Sequence, residues 1–137
     1  MSVIDDLSDQ EVVGKTIFGE ASNQSYIGQQ AVANVIQNRV AKPGWWGNDF
    51  RSVCLKPYQF SCWLASDPNS SRIMEVDPEN AVYQQCMAIA GLAMADQLHD
   101  VTNGATSYYA ITMGNPPGWA RGKTPCATIG EHIFFQV

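Results

Sequence analysis

The sequence has 137 residues, of which 45% are hydrophobic and 15% are charged, a balance typical of a globular chain rather than a disordered one. This length suits one hydrophobic core and is too short for two, so we interpret residues 1–137 as a single domain. The net charge of -5 and the pI near 4.7 provide no basic surface for nucleic acid or an anionic membrane, and we expect neither as a partner.

The first ten residues are unlike a signal peptide, because they contain acids in place of a basic run followed by an apolar core. No apolar run approaches the ~20 residues that span a bilayer, so we expect no membrane insertion. We therefore expect a soluble protein made in the cytoplasm. It would reach a target outside the membrane only after the membrane has been permeabilised.

The first predicted helix begins at Ser8, which forms a capping-box pattern with Glu11. Near its C-terminal end the helix carries Glu20, on the same face as Val13 and Ile17, because these residues are spaced four and three apart. A carboxyl group that leaves water without a cationic partner has a raised pKa and can act as a general acid. The position is equally compatible with a helix-end carboxylate that faces solvent.

A second helix is predicted from Gly28 to Val40, where apolar residues recur at helical spacing. Asn38 shares a face with Ala31 and Val35, and we expect its amide to hold a neighbouring loop in place.

Residues 41–57 form a predicted long loop that contains Trp45 and Trp46. The next segment, residues 58–63, mixes aromatic and hydrogen-bonding side chains, a combination that suits a sugar-binding cleft. The alternative is that these aromatic residues belong to the core.

Residues 64–76 are polar and rich in turn-forming residues. Asp77 and Pro78 then match an N-cap and a first helical position, which predicts a third helix ending near residues 98–100.

From residue 101 onward glycines and prolines interrupt every helical pattern. Residues 105–111 and 132–137 are rich in aromatic and β-branched residues and are predicted to be short strands or extended loops. The expected fold class is α+β, mainly helical, with a small strand-containing C-terminal part.

The cysteines are irregularly spaced and form no C-x-x-C pair, so we expect no metal site and no cofactor. Disulfides formed after release from the cell and buried free thiols both fit this pattern, and we assign the thiols no catalytic role. The four residues are Cys54, Cys62, Cys86 and Cys126.

Several hydrolytic mechanisms lack their sequence motifs. There is no H-E-x-x-H motif of a metalloprotease and no G-x-S-x-G turn of a serine hydrolase. Cys86 or Cys126 with His132 would supply a nucleophile pair, but no local pattern supports one. Acid catalysis by a carboxyl group in an aromatic, amide-lined cleft remains.

The sequence resembles the cell wall hydrolase family typified by spore cortex-lytic enzymes, in order along nearly the whole chain from residue 12 onward. The resemblance is carried by I-F-G-E-A at 17–21, S-Y-I-G-Q-Q-A-V-A-N-V-I-Q-N-R-V at 25–40, Q-F-S at 59–61, G-A-T-S-Y-Y at 104–109, Trp119, and T-I-G-E-H-I-F at 128–134.

This resemblance implies a lysozyme-like catalytic domain that cleaves the glycan strand of peptidoglycan between N-acetylmuramic acid and N-acetylglucosamine. The family's catalytic glutamate corresponds to Glu20. The implied reaction is similar to that of lytic transglycosylases, in which one residue acts as acid and then as base, and the product is a 1,6-anhydro sugar.

One departure from the family pattern concerns a second acid. Many members continue the first motif as G-E-A-R-G-E, whereas this chain has Gln24 at the last position. A hydrolase needs a second carboxylate, ~6.5–9.5 Å away if inverting and ~5–5.5 Å away if retaining, and an amide serves neither purpose. The substitution favours transglycosylation unless a distant acid folds into the cleft. The candidates are Asp49, Asp67, Glu75 and, first to be checked, Glu131.

Five residues are predicted to bind substrate. Gln59 and Ser61 would contact a sugar N-acetyl group or hold Glu20. Alternation along a strand directs one of Tyr108 and Tyr109 into the cleft and the other away from it. His132 would contact the glycan or satisfy a hydrogen bond in the core.

We interpret the chain as a monomeric peptidoglycan-cleaving enzyme, and its compactness suggests a bacteriophage endolysin that waits in the host cytoplasm. A virion-associated lysin or an enzyme exported by another route would have the same sequence. Three alternative functions remain: a muramidase that uses water, an N-acetylmuramoyl-L-alanine amidase, and a glycan-binding virion module without turnover.

Overall fold

A computed structural model of the chain describes residues 3–137, which form five α-helices and a three-stranded antiparallel sheet. The predicted class, mainly helical with a small C-terminal sheet, is confirmed. The helices are α1 (Asp9–Ala21), α2 (Tyr26–Val40), α3 (Phe50–Leu55), α4 (Asn69–Glu75) and α5 (Ala81–Met94). The strands are β1 (Ser107–Ala110), β2 (Ala127–Ile129) and β3 (His132–Phe135). Short 3-10 helices cover Val3–Asp6, Ser61–Trp63, Ile111–Met113 and Gly118–Ala120.

Helix α1 is the centre of the helical part and packs against each of the other four α-helices. Its start is fixed by the predicted capping box: Glu11 N donates to Ser8 Oγ at 3.1 Å, and Ser8 N donates to Glu11 Oε1 at 2.9 Å. Val13 and Ile17 are fully buried, so the face that also carries Glu20 is directed into the protein.

Helix α2 begins two residues before the predicted Gly28, because Ser25 caps it by accepting a hydrogen bond from Gly28 N at 3.4 Å. Asn38 acts as predicted: its Nδ2 donates to Ala105 O at 2.8 Å and to Asp100 Oδ2 at 3.1 Å. This amide therefore anchors the segment that leads into β1.

Two short helices lie where the sequence predicted loops. Helix α3 falls within residues 41–57 and is capped by Asp49, whose Oδ1 accepts from Ser52 N at 2.7 Å. Helix α4 falls within residues 64–76. At six and seven residues, these helices are too short to display a helical repeat of apolar residues.

The predicted start of α5 at Asp77 and Pro78 is wrong. Asn80 is the N-cap and accepts from Tyr83 N at 3.0 Å, while Asp77 accepts from Glu79 N at 2.9 Å in the preceding turn. The helix also ends earlier than expected, because Asp96 adopts a left-handed conformation with φ 57° and Gln97 N donates back to Leu92 O.

The sheet has the order β1-β3-β2, so the strand nearest the C-terminus is central. Strands β1 and β3 lie within the predicted segments, whereas β2 was not predicted. Strands β2 and β3 are joined by a two-residue turn in which Gly130 has φ 57°, a conformation that glycine adopts without steric strain.

All four cysteines are free thiols; Cys54, Cys62 and Cys86 are buried, and Cys126 is partly buried. Within residues 3–137, no helix is both long and apolar enough to cross a membrane.

Candidate active site

The last turn of α1 holds Glu20 at the edge of the core, and Gly19 allows that turn to lie close to its neighbours. A Cβ atom on Gly19 would be 2.7 Å from Cβ of Cys62 and 2.9 Å from Cγ2 of Ile73. The 3-10 helix Ser61–Trp63 and helix α4 therefore pack against the α1 backbone at a distance that only glycine permits.

The carboxyl group of Glu20 is partly buried and makes a short hydrogen bond with Tyr108, whose hydroxyl donates to Oε1 at 2.6 Å. Burial raises the pKa of Glu20, and the negative charge of Asp67 adds to this rise. Hydrogen bonds from Tyr108 and from the thiol and backbone amide of Cys62 oppose it. The net rise in pKa favours the protonated carboxyl, which is the form that a general acid requires.

Tyr108 is held in place by the aromatic side of β3. Its ring lies in edge contact with His132 at 4.8 Å between centroids, and tilted against Phe134 at 5.4 Å. Burial and the neighbouring charge of Glu20 raise the pKa of Tyr108 well above its usual value, so the phenol keeps its proton and remains a donor. Burial lowers the pKa of His132, which therefore favours the neutral ring.

Two hollows flank the hydrogen-bonded pair of Glu20 and Tyr108: Glu20 lines one of them and Tyr108 lines the other. The first, called the acid cleft, has a volume of about 430 Å³, and its lining includes Glu20, Gln24, Arg72, Glu131 and His132. The second, called the aromatic hollow, has a volume of about 460 Å³. It is lined by Arg39, Trp45, Trp46, Tyr58, Gln59, Ser107, Tyr108, Trp119 and Val137.

A different hollow, of about 420 Å³, includes Lys15, Tyr83 and Met87 in its lining and does not include Glu20. We place the candidate site at the acid cleft, because there a carboxyl of raised pKa and hydrogen-bonding side chains face the same space.

Three of the predicted substrate-binding residues border this region. Tyr108 and Gln59 line the aromatic hollow, and His132 lines the acid cleft. Tyr109 lies on the opposite side of β1, where it stacks on Phe135 at 5.7 Å between centroids, so the two tyrosines alternate as predicted. Ser61 is exposed at the start of its 3-10 helix and lines neither hollow.

Of the candidate second acids, Glu131 lines the acid cleft. Its backbone N donates to Gln24 Oε1 at 3.3 Å, and its Oε2 accepts from Gln24 Nε2 at 3.4 Å. Asp49 and Asp67 accept hydrogen bonds from backbone N–H groups, of Ser52 and Asn69 respectively. Asp67 nevertheless acts on the charge of Glu20, whereas Asp49 and Glu75 do not line the cleft.

Sequence reasoning missed three residues of this region. Arg39 is four residues after Val35 and seven after Val32, a core-facing spacing that could have identified it as readily as Glu20. Cys62 lies in a 3-10 helix without periodicity, and Arg72 lies in the short α4, so neither had a comparable signal. Across residues 3–137, no three His, Cys, Asp or Glu side chains cluster as metal ligands would.

Comparison with known proteins places this architecture among wall-degrading proteins. Residues 23–135 match the cell wall hydrolase family. The chain is 29% identical over 129 residues to a spore cortex-lytic enzyme of Halalkalibacterium halodurans and 26% identical over 131 residues to that of Bacillus subtilis. These alignments cover 93% and 94% of this chain but 34% and 38% of the relatives, so the chain spans about a third of their length.

Two solved structures have the same fold. The catalytic domain of Bacillus cereus SleB superposes with a TM-score of 0.69 at 23% identity, covering 93% of this chain and 89% of that domain. The catalytic domain of the germination-specific lytic transglycosylase SleB of Bacillus anthracis superposes with a TM-score of 0.70 at 24% identity. The superposition covers 99% of this chain and 97% of that domain.

Proposed function

The chain belongs to the cell wall hydrolase family, and on that premise we propose that it cleaves peptidoglycan glycan strands between N-acetylmuramic acid and N-acetylglucosamine as a lytic transglycosylase. The observation that carries the proposal is the environment of Glu20. Its carboxyl group has a pKa raised by burial, accepts a 2.6 Å hydrogen bond from Tyr108, and opens into a cleft of about 430 Å³.

The reaction begins when protonated Glu20 donates its proton to the glycosidic oxygen. The bond between that oxygen and C1 of the muramic residue breaks, and its electron pair leaves with the oxygen. The C6 hydroxyl of the same residue then attacks C1 and closes a ring, while the Glu20 carboxylate removes its proton. Glu20 ends the cycle protonated, as it began, and no water is consumed.

Tyr108 acts as a positioning residue in this scheme. Because its hydroxyl donates to Oε1 at 2.6 Å, it fixes the orientation of the Glu20 carboxyl group. Once the proton has left, the same hydrogen bond stabilises the carboxylate.

Two features support transglycosylation over hydrolysis. Gln24 stands where many family members have a second acid, and its amide cannot activate water. The Bacillus anthracis protein with the same fold is described as a lytic transglycosylase.

Hydrolysis is the second candidate, and Glu131 is the observation that favours it. Glu131 lines the acid cleft together with Glu20; its carboxylate accepts one hydrogen bond from Gln24, and its backbone N donates to the same amide. In a hydrolase, Glu131 would activate the water that attacks C1.

Two substitutions distinguish these routes. Glu20→Gln keeps the size of the side chain and removes its proton, so release of fragments from purified peptidoglycan should fall by about 10³-fold or more. Glu131→Gln should retain fragment release within about 10-fold if Glu20 acts alone. An equally large loss in Glu131→Gln would favour hydrolysis. A wild type that binds the wall and releases nothing would instead favour a binding module.

The biological setting is proposed from the sequence alone. A phage endolysin released from the host cytoplasm when the membrane is permeabilised would use this activity for host lysis. Fragment release from cells that make the protein in their cytoplasm, with and without a membrane-permeabilising agent, would test this, because the protein should reach the wall only after permeabilisation.

A further inference from the structure

Arg39 is a buried cation that no carboxylate of the described residues contacts, although the charge of Glu20 acts on it from farther away. Its side chain is 5% exposed, its Nε donates to Thr106 O at 2.7 Å, and its Nη1 is buried with no hydrogen-bond partner. Within residues 3–137 the single ion pair joins Arg51 to Asp9, so no carboxylate of that range lies within ion-pair distance of Arg39.

A buried guanidinium group is unfavourable unless other groups replace its contacts with water. The rings of Trp46 and Phe60 lie 5.3 Å and 5.2 Å from the guanidinium carbon, and these cation–π contacts offset part of the lost hydration. Ring faces do not accept the remaining N–H hydrogen bonds in the planar geometry of a carboxylate. Among residues 3–137, no carboxylate therefore accepts a hydrogen bond from the guanidinium of Arg39.

Arg39 also lines the aromatic hollow, where its side chain is the only charged side chain. Val137, the last residue of the sequence, lines the hollow as well, and its main-chain carboxylate is not within ion-pair distance of Arg39. Three aromatic residues of that lining remain open to solvent: Trp45 is 67% exposed, Tyr58 is 82% exposed and Trp119 is 38% exposed. Exposed aromatic faces suit the apolar faces of sugar rings, and the Gln59 amide suits their polar substituents. The ligand that matches this lining is a sugar that carries a carboxylate.

We propose that the aromatic hollow binds an acidic unit of the peptidoglycan strand and that the carboxylate of this unit pairs with the guanidinium of Arg39. The inference rests on the proposed function, since it assigns a binding position beside Glu20 on the same strand. Two parts of peptidoglycan supply the required group: the lactyl carboxylate of a peptide-free muramic residue, and the carboxylates of the peptide stem. Because the net charge of the chain is -5, a local cation is needed to hold either one.

The test compares strands that differ only in charge. Peptide-free strands, which expose lactyl carboxylates, and peptide-bearing strands are each assayed before and after their carboxylates are converted to neutral methylamides. We expect amidation to raise the KM of the wild type about 10-fold to 100-fold for the strand type whose carboxylate binds, with a smaller effect on kcat. A KM that is unaffected by amidation of either strand type would overturn the inference but leave the proposed function intact. A wild type that cleaves no strand would contradict the proposed function itself.

Variants of Arg39 then assign the effect to this residue. Arg39→Gln should lose the preference for charged over amidated strands, and Arg39→Lys should keep part of it, because an ammonium group retains the charge without the bidentate geometry. Lys42→Gln removes a positive charge from an exposed position just after the end of α2. This variant should keep the full preference for charged over amidated strands. An Arg39→Gln variant that prefers charged strands as strongly as the wild type does would overturn the inference. The wild-type comparison decides the question even if this variant folds poorly.

Discussion

At the scale of single residues, the proton affinity of Glu20 is set by opposing neighbours. Burial and the charge of Asp67 raise its pKa, and hydrogen bonds from Tyr108 and Cys62 lower it. The net effect is a raised pKa, but the hydrogen bonds from Tyr108 and Cys62 stabilise the carboxylate once the proton has left. The proposed reaction requires this balance, because in it Glu20 gives a proton and takes one back within a single cycle.

Removing the Tyr108 hydroxyl should move the pH profile in a defined direction. The Tyr108 hydrogen bond lowers the pKa of Glu20, so Tyr108→Phe should raise that pKa and shift the alkaline fall of kcat/KM to higher pH. The maximal rate should drop about 10-fold, because a charge-assisted hydrogen bond is lost. Tyr109→Phe, on the opposite side of β1, should keep the alkaline limb at the wild-type pH. A shift to lower pH in Tyr108→Phe would contradict this assignment.

Glu20 should reduce the stability of the folded protein at alkaline pH. Because its folded pKa is raised, the native state keeps a proton that the unfolded state has lost, and stability falls as pH rises from the unfolded to the folded pKa. At pH 8, Glu20→Gln should raise Tm by about 2–4 °C, corresponding to ~1 kcal/mol, and the difference should shrink near pH 4. Thermal unfolding at both pH values measures this. A Glu20→Gln protein that is less stable than the wild type at pH 8 would show that burial of the ionised Glu20 carboxylate does not destabilise the folded protein.

At the scale of secondary-structure elements, the site depends on how closely the end of α1 packs. Gly19 leaves no room for a Cβ atom beside Cys62 and Ile73, so these neighbours fix the position of the turn that carries Glu20. Cys62 in turn donates to the Glu20 carboxyl group. Packing and proton affinity are therefore determined by the same contact.

Gly19→Ala should damage both stability and activity. Its Cβ atom would lie 2.7 Å from Cβ of Cys62, and overpacking of this kind destabilises a protein by about 1–3 kcal/mol. Activity should fall further than the folded fraction does, because the turn that carries Glu20 must move. Gly118→Ala is the matched control, since no atom lies within 4 Å of a Cβ there, and its Tm should change little. Wild-type stability and activity in Gly19→Ala would show that the turn tolerates displacement.

The elements that the sequence predicted well have both a cap and a long apolar repeat. Helix α1 combines the Ser8 capping box with a periodic pattern over 13 residues, and α2 has a repeat over 15 residues. Helices α3 and α4 have too few residues for such a repeat, and the start of α5 was misplaced because Asp77 and Asn80 both have cap-forming side chains. Strand β2 has three residues, which is too short for alternation to be recognised.

The site was predictable only where local spacing carries information. Glu20 can be found from its position on a buried helical face, and the spacing of Arg39 from Val32 and Val35 carries the same kind of signal. The pairing of Tyr108 with Glu20 joins residues 88 positions apart, and the approach of Cys62 to Glu20 likewise depends on tertiary packing. Neither contact follows from any local pattern.

At the scale of the whole molecule, the small sheet closes the site against the helices. Strand β1 brings Tyr108 to Glu20, and the turn between β2 and β3 brings Glu131 to Gln24 in the turn between α1 and α2. Two hollows result, one with acidic and polar groups and one with exposed aromatic rings. Under the proposed function, one glycan strand would occupy both.

The structure also predicts the state of the thiols. Denatured but unreduced protein should alkylate at all four cysteines, because none is bonded to another. In the native protein only the partly buried Cys126 should react, since burial raises the pKa of Cys54 and of Cys86 to about 12 and keeps these thiols protonated and inaccessible. Mass spectrometry after alkylation counts the labelled sites. Fewer than four labels on the denatured chain would reveal a disulfide.

The most direct test of the account is the chemistry of the muramic ends that the wild type releases from purified peptidoglycan, measured by mass spectrometry. Attack by the C6 hydroxyl predicts 1,6-anhydro ends, lighter by one water than reducing ends, and no such ends from Glu20→Gln. Reducing muramic ends would contradict single-residue catalysis by Glu20 and would assign the activation of water to a second carboxylate, with Glu131 as the first to examine.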